Sequence, residues 1–272
     1  MKKRIMGGED LSEAMQRARR QVHFDTIAQT YDAVRPRYPE ALFDTIISAC
    51  QLDAHTPVLE VGAGTGIATL PLARRGVPLT ALEPGDALRD IATEKVRGFS
   101  NVCLVSARME EFIHAGDGFQ AIVAGQAYHW VDPERRYALA HQLLRPGGRI
   151  GLFWHMQPLD SPFYLLSRPA YTELYGPQTP ADVPERLQRW KQEIESSGYF
   201  PRCEVFTFSW TRTFTTEHMI RLLQTYSDSA VTKPRQQARF LDHIRHLIDG
   251  VGGMVEQKMI AGLFVATGAQ LA

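Results

Sequence analysis

A glycine-rich loop that follows a short apolar stretch is the first part of this sequence that could bind a ligand. Residues 58–66 read VLEVGAGTG, which places glycines at positions 62, 64 and 66. Because glycine has no side chain, such a loop lets the backbone approach a ligand closely at the carboxyl end of a strand. Dinucleotide-binding loops have the spacing G-x-G-x-x-G, whereas this loop has G-x-G-x-G followed by Ile67. The spacing therefore disfavours a nicotinamide or flavin dinucleotide.

Two acidic residues accompany this loop. Glu60 lies in the apolar stretch before the loop, and Glu83 ends the next apolar stretch, LTALE at 79–83. A carboxylate at the tip of a second strand can accept hydrogen bonds from both hydroxyls of a ribose. The alternative is a tight turn beside a solvated acid. The glycine loop, the strand-end acid and the Pro84 that follows it together favour a nucleoside ligand.

His129 is the candidate for a chemical role outside the loop. It lies in the segment QAYHWVD at 126–132, after the fourth predicted strand, where open parallel sheets bind their ligands. An imidazole there could accept a proton from a hydroxyl or amine, could orient an acidic substrate, or could be structural only. Asp132, which Pro133 follows, is predicted to be the N-cap of a helix rather than an acid catalyst.

These residues need a sheet that brings several strand ends together. Short apolar stretches alternate with helical patterns up to residue 155, which is typical of doubly wound sheets with right-handed crossovers. The sequence therefore predicts an α/β fold with a doubly wound, mostly parallel seven-stranded sheet. Residues 158–196 have a helical, aromatic-rich pattern and are predicted to form a helical cap insertion. The predicted strands are 57–61, 79–83, 102–105, 121–124, 149–154, 203–214 and 259–267.

The composition limits the partners of this chain. Apolar residues make up 44% of the sequence, and 30 Lys and Arg residues balance 30 Asp and Glu residues. A surface without net charge is a poor match for nucleic acid, and no apolar run is long enough to span a bilayer. The three cysteines, Cys50, Cys103 and Cys203, have no metal-binding spacing. We predict a cytoplasmic monomer or homodimer with no metal, nucleic-acid or membrane partner.

At these motifs the chain resembles the class I S-adenosylmethionine-dependent methyltransferases, in particular the type 11 subgroup. The resemblance rests on residues 58–66, ALEP at 81–84, ARMEEF at 107–112 and LLRPGG at 143–148. It implies S-adenosylmethionine as cofactor, with the glycine loop around the methionine part, Glu83 on the ribose and the segment at Arg108 beside the adenine. The implied cofactor-binding residues in the core are Glu60, Gly62, Ala63, Gly64, Gly66, Glu83, Pro84, Arg108, Met109, Glu110, Gly125 and Gln126.

Two further segments narrow the likeness. Tyr31 with RPRYP at 35–39, and residues 126–132, are similar to the branch that includes the trans-aconitate enzymes. In that branch the N-terminal segment folds over the cofactor, which makes Tyr31 and Arg35 candidates to shield the methionine and bind its carboxylate. A guanidinium can donate two parallel hydrogen bonds to a carboxylate; the alternative for Arg35 is a surface position. Candidates for the acceptor pocket, with packing as the alternative role, are His129, Trp130, Trp154, Tyr171 and Tyr175.

The resemblance divides the chain into four segments and implies an activity. Residues 1–40 would close over the cofactor, 41–155 would form the cofactor-binding core, 156–200 the helical cap and 201–272 the rest of the sheet with two further helices. The implied activity is methyl transfer to a small molecule, with oxygen or carboxylate favoured. Such a displacement often needs little beyond alignment of the nucleophile. The alternatives are cyclisation or elimination chemistry on the same cofactor, and a non-catalytic nucleotide-binding protein.

Overall fold

Seven strands form one sheet in the computed structural model, which describes residues 22–269. Along the chain they are β1 (Val58–Val61), β2 (Leu79–Leu82), β3 (Val102–Val105), β4 (Phe119–Gly125), β5 (Leu144–Met156), β6 (Cys203–Thr215) and β7 (Met254–Thr267). Their order in the sheet is β3-β2-β1-β4-β5-β7-β6. The first five strands are parallel to one another. The predicted α/β class and the mostly parallel seven-stranded sheet are confirmed.

The central strands form because they are apolar over their whole length. All four residues of β1 are buried, and so are the first six residues of β4. Such continuous burial is typical of parallel strands that are covered on both faces. The helices are α1 (Ala28–Val34), α2 (Glu40–Ala49), α3 (Thr69–Arg74), α4 (Asp86–Val96), α5 (Arg136–Leu143), α6 (Pro162–Tyr175), α7 (Val183–Ser196), α8 (Thr216–Gln224) and α9 (Pro234–Asp249). Within residues 22–269, none of them is long and apolar enough to cross a membrane.

The strand order contains one switch point, where the chain stops adding strands on one side of β1 and begins to add them on the other side. From β1 the chain moves outward to β2 and β3, and then returns to the other side of β1 to form β4 and β5. Ligands of open α/β sheets bind at such a switch point, outside the carboxyl ends of the strands. Two segments begin there, the glycine loop after β1 and the segment after β4, which contains a 3-10 turn at Tyr128–Trp130.

The helix after the glycine loop begins at Thr69, because residues 65–68 still form turns. The prediction of Asp132 as an N-cap is wrong, since α5 begins at Arg136. The Asp132 carboxylate instead accepts a hydrogen bond from the Glu134 amide at 3.0 Å, which closes a turn before the helix.

The described chain separates into two compact units. The sheet unit comprises residues 37–156, 184–208 and 261–269, and the helical unit comprises residues 22–36, 157–183 and 209–260. The helical unit has its own apolar core, to which α1, α6, α8 and α9 contribute. Strands β6 and β7 are each divided between the units.

This division differs from the single helical cap predicted over residues 156–200. Helix α6 belongs to the helical unit, whose core includes Phe163 and Ala170. Almost all of α7 belongs to the sheet unit, where Trp190 stacks on Trp154 of β5 with ring centroids 4.1 Å apart. The two helices are separate because their apolar faces bury against different partners. Of the predicted 1–40 segment, residues 1–21 lie outside the described residues.

Candidate active site

The three glycines of the loop have two different structural roles. Gly62, Gly64 and Gly66 all have positive φ, at 72°, 57° and 79°. A Cβ on Gly62 would lie 2.4 Å from the Ala127 Cβ, and one on Gly66 would lie 3.3 Å from the Ala92 Cα. A Cβ on Gly64 would meet nothing within 4 Å. The outer glycines therefore allow the loop to pack tightly, whereas the middle one leaves space in front of the backbone.

The Glu83 carboxylate is tied to this loop. Its Oε2 accepts a hydrogen bond from the Gly64 amide at 2.7 Å, and its Oε1 accepts one from the Gly85 amide at 2.8 Å. Arg89 donates to the Glu83 carbonyl oxygen at 3.0 Å. A carboxylate can accept about four hydrogen bonds, so these two alone do not exhaust it. The strand-end acid and the open loop glycine are therefore held side by side.

Glu60 is a buried carboxyl group beneath the same loop. Its side chain is 1% exposed, and within residues 22–269 its Oε2 has no hydrogen-bond partner. Desolvation by burial, together with the charge of Glu83, raises the pKa of Glu60 to about 7, although the Thr69 side chain lowers it. An unsatisfied buried carboxylate oxygen is costly. A cationic ligand at the loop would supply a partner for it.

The segment after β4 packs closely against β5 and the loop. A Cβ on Gly125 would lie 2.5 Å from the Phe153 ring, so the absence of a side chain here is required by packing. The Gln126 amide donates to the Phe153 carbonyl oxygen at 2.9 Å, and Gln126 has a φ of 57°. Gly125 and Gln126 therefore shape the turn that leads to His129. Their predicted role in cofactor binding stays a prediction.

We expect Gly125→Ala to destabilise the protein, because its new methyl group would force the buried Phe153 ring to move. Overpacking of this kind costs about 1–3 kcal/mol. The matched control is Gly151→Ala on the neighbouring strand, where the nearest atoms would be 3.4 Å and 3.6 Å away. Urea unfolding of both variants measures the difference. Equal midpoints for the two variants would contradict the close approach.

The segment after β3 also contacts the same edge. The Glu110 carboxylate accepts a hydrogen bond from the Asp132 amide at 2.9 Å, which joins this segment to the one after β4. The Met109 side chain is buried, whereas Arg108 is exposed. Pro84, at the tip of β2, is also exposed. These positions are compatible with the predicted contacts to an adenine, which stay predictions.

His129 lies in the 3-10 turn after β4, and its ring has a partner from β5. The Trp154 indole Nε1–H donates to the His129 Nδ1 at 3.3 Å. The His129 and Trp130 rings have centroids 4.8 Å apart. His129 is exposed, and Ala127, two residues before it, is the residue that faces Gly62. The structure thus brings together the predicted residues His129, Trp130 and Trp154 in the sheet unit.

The predicted residues Tyr31 and Arg35 belong to the helical unit, where they have partners of their own. The Arg35 Nη2 donates to the Thr225 carbonyl oxygen at 2.5 Å. Its guanidinium lies 4.7 Å from the Tyr31 ring centroid and 4.9 Å from that of Tyr226. A cation between two aromatic faces is held by electrostatic attraction to both rings. Arg35 therefore has a structural role within this unit, and its predicted role at the cofactor stays a prediction.

Tyr171 and Tyr175 share one face of α6, as their spacing predicts. Their rings stack with centroids 6.1 Å apart, and Tyr171 also contacts Phe240 edge-on at 4.9 Å. Burial raises the pKa of the Tyr171 hydroxyl well above its ordinary value. Both residues thus contribute to packing in the helical unit, and their predicted place in an acceptor pocket stays a prediction.

Sequence analysis missed Lys95, which supports the loop from α4. Its Nζ donates to the Thr65 carbonyl oxygen at 2.7 Å. A signal for this residue exists, because Lys95 follows the buried Leu88 and Ala92 at helical spacing and so stands on the inward face of α4. It also missed Arg89, whose ion pair with Asp86 at i,i+3 accompanies its bond to the Glu83 backbone. Within the described residues, no group of three His, Cys, Asp or Glu side chains could hold a metal ion.

This geometry places the glycine loop and Glu83 side by side at the switch point of a class I methyltransferase fold. Solved structures agree on the fold: a candidate type II methyltransferase of Anaeromyxobacter dehalogenans has a TM-score of 0.59 at 21% identity and covers 86% of this chain and 97% of its own. The YcgJ protein of Bacillus subtilis has a TM-score of 0.55 at 16% identity over 86% and 100% of the two chains. At these identities the likeness shows the fold alone.

Sequence comparison finds a known domain in the core of the chain. Residues 58–148 match the family described as a methyltransferase domain. An uncharacterized methyltransferase of Mycobacterium tuberculosis is 34% identical over 132 residues, which are 48% of this chain and 51% of that protein. The chain thus spans about half the length of this relative. Residues 58–148 therefore match a class I S-adenosylmethionine-dependent methyltransferase domain of the type 11/25 group, which supports S-adenosylmethionine as the cofactor.

Proposed function

We propose that this protein transfers the methyl group of S-adenosylmethionine to a small-molecule acceptor, at oxygen or carboxylate. The proposal rests on one observation at the tips of β1 and β2. There the Glu83 carboxylate accepts a hydrogen bond from the Gly64 amide, and space remains in front of that glycine. At this position a nucleoside can meet both open backbone and an acceptor for its hydroxyls.

The residues at the loop fit this cofactor by charge as well as by space. The cofactor is cationic at its sulfonium and ammonium groups, and two carboxyl groups, Glu60 and Glu83, lie at the loop. The buried Oε2 of Glu60 lacks a hydrogen-bond partner among residues 22–269, so a cationic group nearby would offset part of its desolvation. Glu83 would accept hydrogen bonds from the ribose, while the loop backbone would lie along the methionine part.

The reaction requires little from the protein beyond alignment of the acceptor with the methyl group. When bound, S-adenosylmethionine supplies a methyl group on a sulfonium, which an electron pair of the acceptor displaces. The segment after β4 would hold the acceptor in line, since effective molarity from such positioning accounts for about 7–11 kcal/mol in favourable cases. His129 and Trp130 are the side chains of that segment that we assign to the acceptor.

The test is release of S-adenosylhomocysteine when the purified protein is given cofactor and a panel of small carboxylic acids, phenols, alcohols and amines. We expect turnover with an oxygen or carboxylate acceptor and a methylated product of matching mass. A control without acceptor separates other chemistry, because formation of methylthioadenosine there would indicate cyclisation or elimination. If the cofactor binds but no acceptor yields S-adenosylhomocysteine above background, the proposed transfer is wrong.

A further inference from the structure

The hydrogen bond between Trp154 and His129 restricts the protonation of the histidine. An indole Nε1–H can only donate, so the His129 Nδ1 that receives it at 3.3 Å must carry a lone pair. A neutral imidazole has one nitrogen that donates and one that accepts. The neutral ring of His129 therefore carries its proton on Nε2.

The direction of the Trp154 N–H is fixed by packing. Trp154 is 5% exposed, and its ring is stacked on Trp190 with an interplanar angle of 14°. Its other contact is edge-on to Phe264, with ring centroids 5.6 Å apart. The indole cannot turn away without losing both aromatic contacts, and a buried N–H without an acceptor costs free energy.

Trp190 is held in turn by an ion pair from α5 and α7. Arg136 pairs with Glu193, one helical turn after Trp190, and its guanidinium lies 5.7 Å from the Trp190 ring centroid. The Tyr137 hydroxyl donates to the same Glu193 carboxylate at 2.8 Å. Arg136 is itself buried at 8% exposure. A continuous set of contacts thus runs from this ion pair through two stacked indoles to the His129 ring.

We propose that Trp154 is a positioning residue which holds His129 in the Nε2–H form, so that His129 meets the acceptor as a hydrogen-bond donor and not as a base. The inference rests on the proposed function for the presence of an acceptor. Nδ1 is occupied by Trp154 and Nε2 already bears a proton, so neither nitrogen takes a proton from the acceptor while this arrangement lasts.

Because His129 only donates a hydrogen bond, the acceptor atom must react without giving a proton to His129. In the transfer, an oxygen lone pair forms the new O–CH3 bond, the C–S bond breaks and its electron pair stays on sulfur. An anionic oxygen completes this step without losing a proton. A neutral hydroxyl must lose one, and a protonated amine must lose one before it can react, and His129 does not receive that proton. The favoured acceptor is therefore an oxygen already deprotonated at neutral pH, with the Nε2–H of His129 bonded to it.

The direct test is the tautomer of His129, measured by 15N NMR of the protein labelled at its histidines. Two other residues calibrate the spectrum. The His141 Nε2 faces the Ala269 carbonyl oxygen at 2.8 Å, which requires Nε2–H, and the His246 Nδ1 faces the Asp242 carbonyl oxygen at 2.8 Å, which requires Nδ1–H. We expect the His129 signals to follow those of His141. Signals that follow those of His246 would overturn the inference, whether or not the cofactor binds.

Two tryptophan variants test the cause of that tautomer. We expect Trp154→Phe, which keeps an aromatic ring but loses the N–H, to give a mixture of the two His129 tautomers. Trp190→Phe is the matched control, because it alters the stack and keeps the Trp154 N–H, and there the Nε2–H form should persist. An unchanged tautomer in Trp154→Phe would show that Trp154 does not set it.

Kinetic measurements with the acceptor that gives the most turnover distinguish a donor role of His129 from a base role. His129→Ala should lose about tenfold in kcat/KM, the worth of one good hydrogen bond. His129→Gln retains an N–H donor and should recover part of that loss. A base would behave differently, since both variants would lose about 10²–10⁴-fold in kcat. That second result would overturn the donor role and leave methyl transfer itself intact.

Discussion

Gly64→Arg is expected to abolish binding of S-adenosylmethionine while leaving the fold intact. The space in front of Gly64, where a Cβ meets no atom within 4 Å, would be filled by the new side chain. The arginine would also place a positive charge where the cationic cofactor belongs, beside Glu83. We expect the dissociation constant measured by titration calorimetry to rise about 100-fold or more, which corresponds to about 2.7 kcal/mol.

The control for this variant is Gly76→Arg. Gly76 also has a positive φ, 77°, and a Cβ there would likewise meet nothing within 4 Å. It lies just after α3 in the sheet unit, away from the β1 tip, so both variants share a backbone strain of about 1–2 kcal/mol. Gly76→Arg should bind the cofactor as wild type does. Wild-type affinity in Gly64→Arg, or equal losses in both variants, would argue against the assigned site.

Glu60→Gln is expected to stabilise the cofactor-free protein at pH 8 but not at pH 4. The pKa of Glu60 is raised from 4.5 to about 7 in the folded state, so between these values the folded protein binds a proton that the unfolded chain has lost. Stability therefore falls as pH rises through this window, and the full loss is present above pH 7. A shift of this size corresponds to about 3 kcal/mol.

Urea unfolding at several pH values measures this effect. The stability difference between Glu60→Gln and wild type should grow from pH 4.5 to pH 7 and then level off. Glu111→Gln, at an exposed carboxylate, is the control and should show no such growth. A difference for Glu60→Gln that does not vary with pH would show that Glu60 is not a buried, protonated acid in the free protein.

The same variant should bind the cofactor more weakly at pH 8. Glutamine cannot supply the negative charge that a cationic ligand gains from an ionised Glu60. In wild type, binding near pH 6 should release protons, because the ligand favours the ionised carboxylate. Calorimetry in two buffers of different ionisation enthalpy measures the release. Stronger binding of the cofactor by Glu60→Gln than by wild type would contradict the assigned charge complementarity.

The parallel core could be predicted from local patterns because each strand is an apolar run bounded by turn residues. β1, β2 and β3 occur within a residue of their predicted limits, and the glycine loop and Glu83 lie at adjacent strand tips, as their sequence order requires. The predicted start of α5 was wrong because Asp132 followed by Pro133 is a pattern that occurs both at helix N-caps and in turns. The Asp132 side chain bonds Glu134 within that turn.

Contacts between distant side chains were not predictable from the sequence. Nothing local indicates that Trp154 donates to His129, or that Trp190 of α7 stacks on Trp154. These pairs depend on how a helix packs on the sheet, which neither periodicity nor motif spacing specifies. The helical pattern over 158–196 was correct in kind, yet its two helices bury against different cores. The roles of Arg35 and Tyr171 were open for the same reason.

The most direct measurement is a crystal structure of the wild-type protein grown with S-adenosylhomocysteine. We predict electron density for the nucleoside in front of Gly64, with ribose oxygen atoms within hydrogen-bond distance of the Glu83 carboxylate. The amino group should lie on the side of Glu60. Density for this compound elsewhere on the protein, or a ribose that does not contact Glu83, would contradict the account.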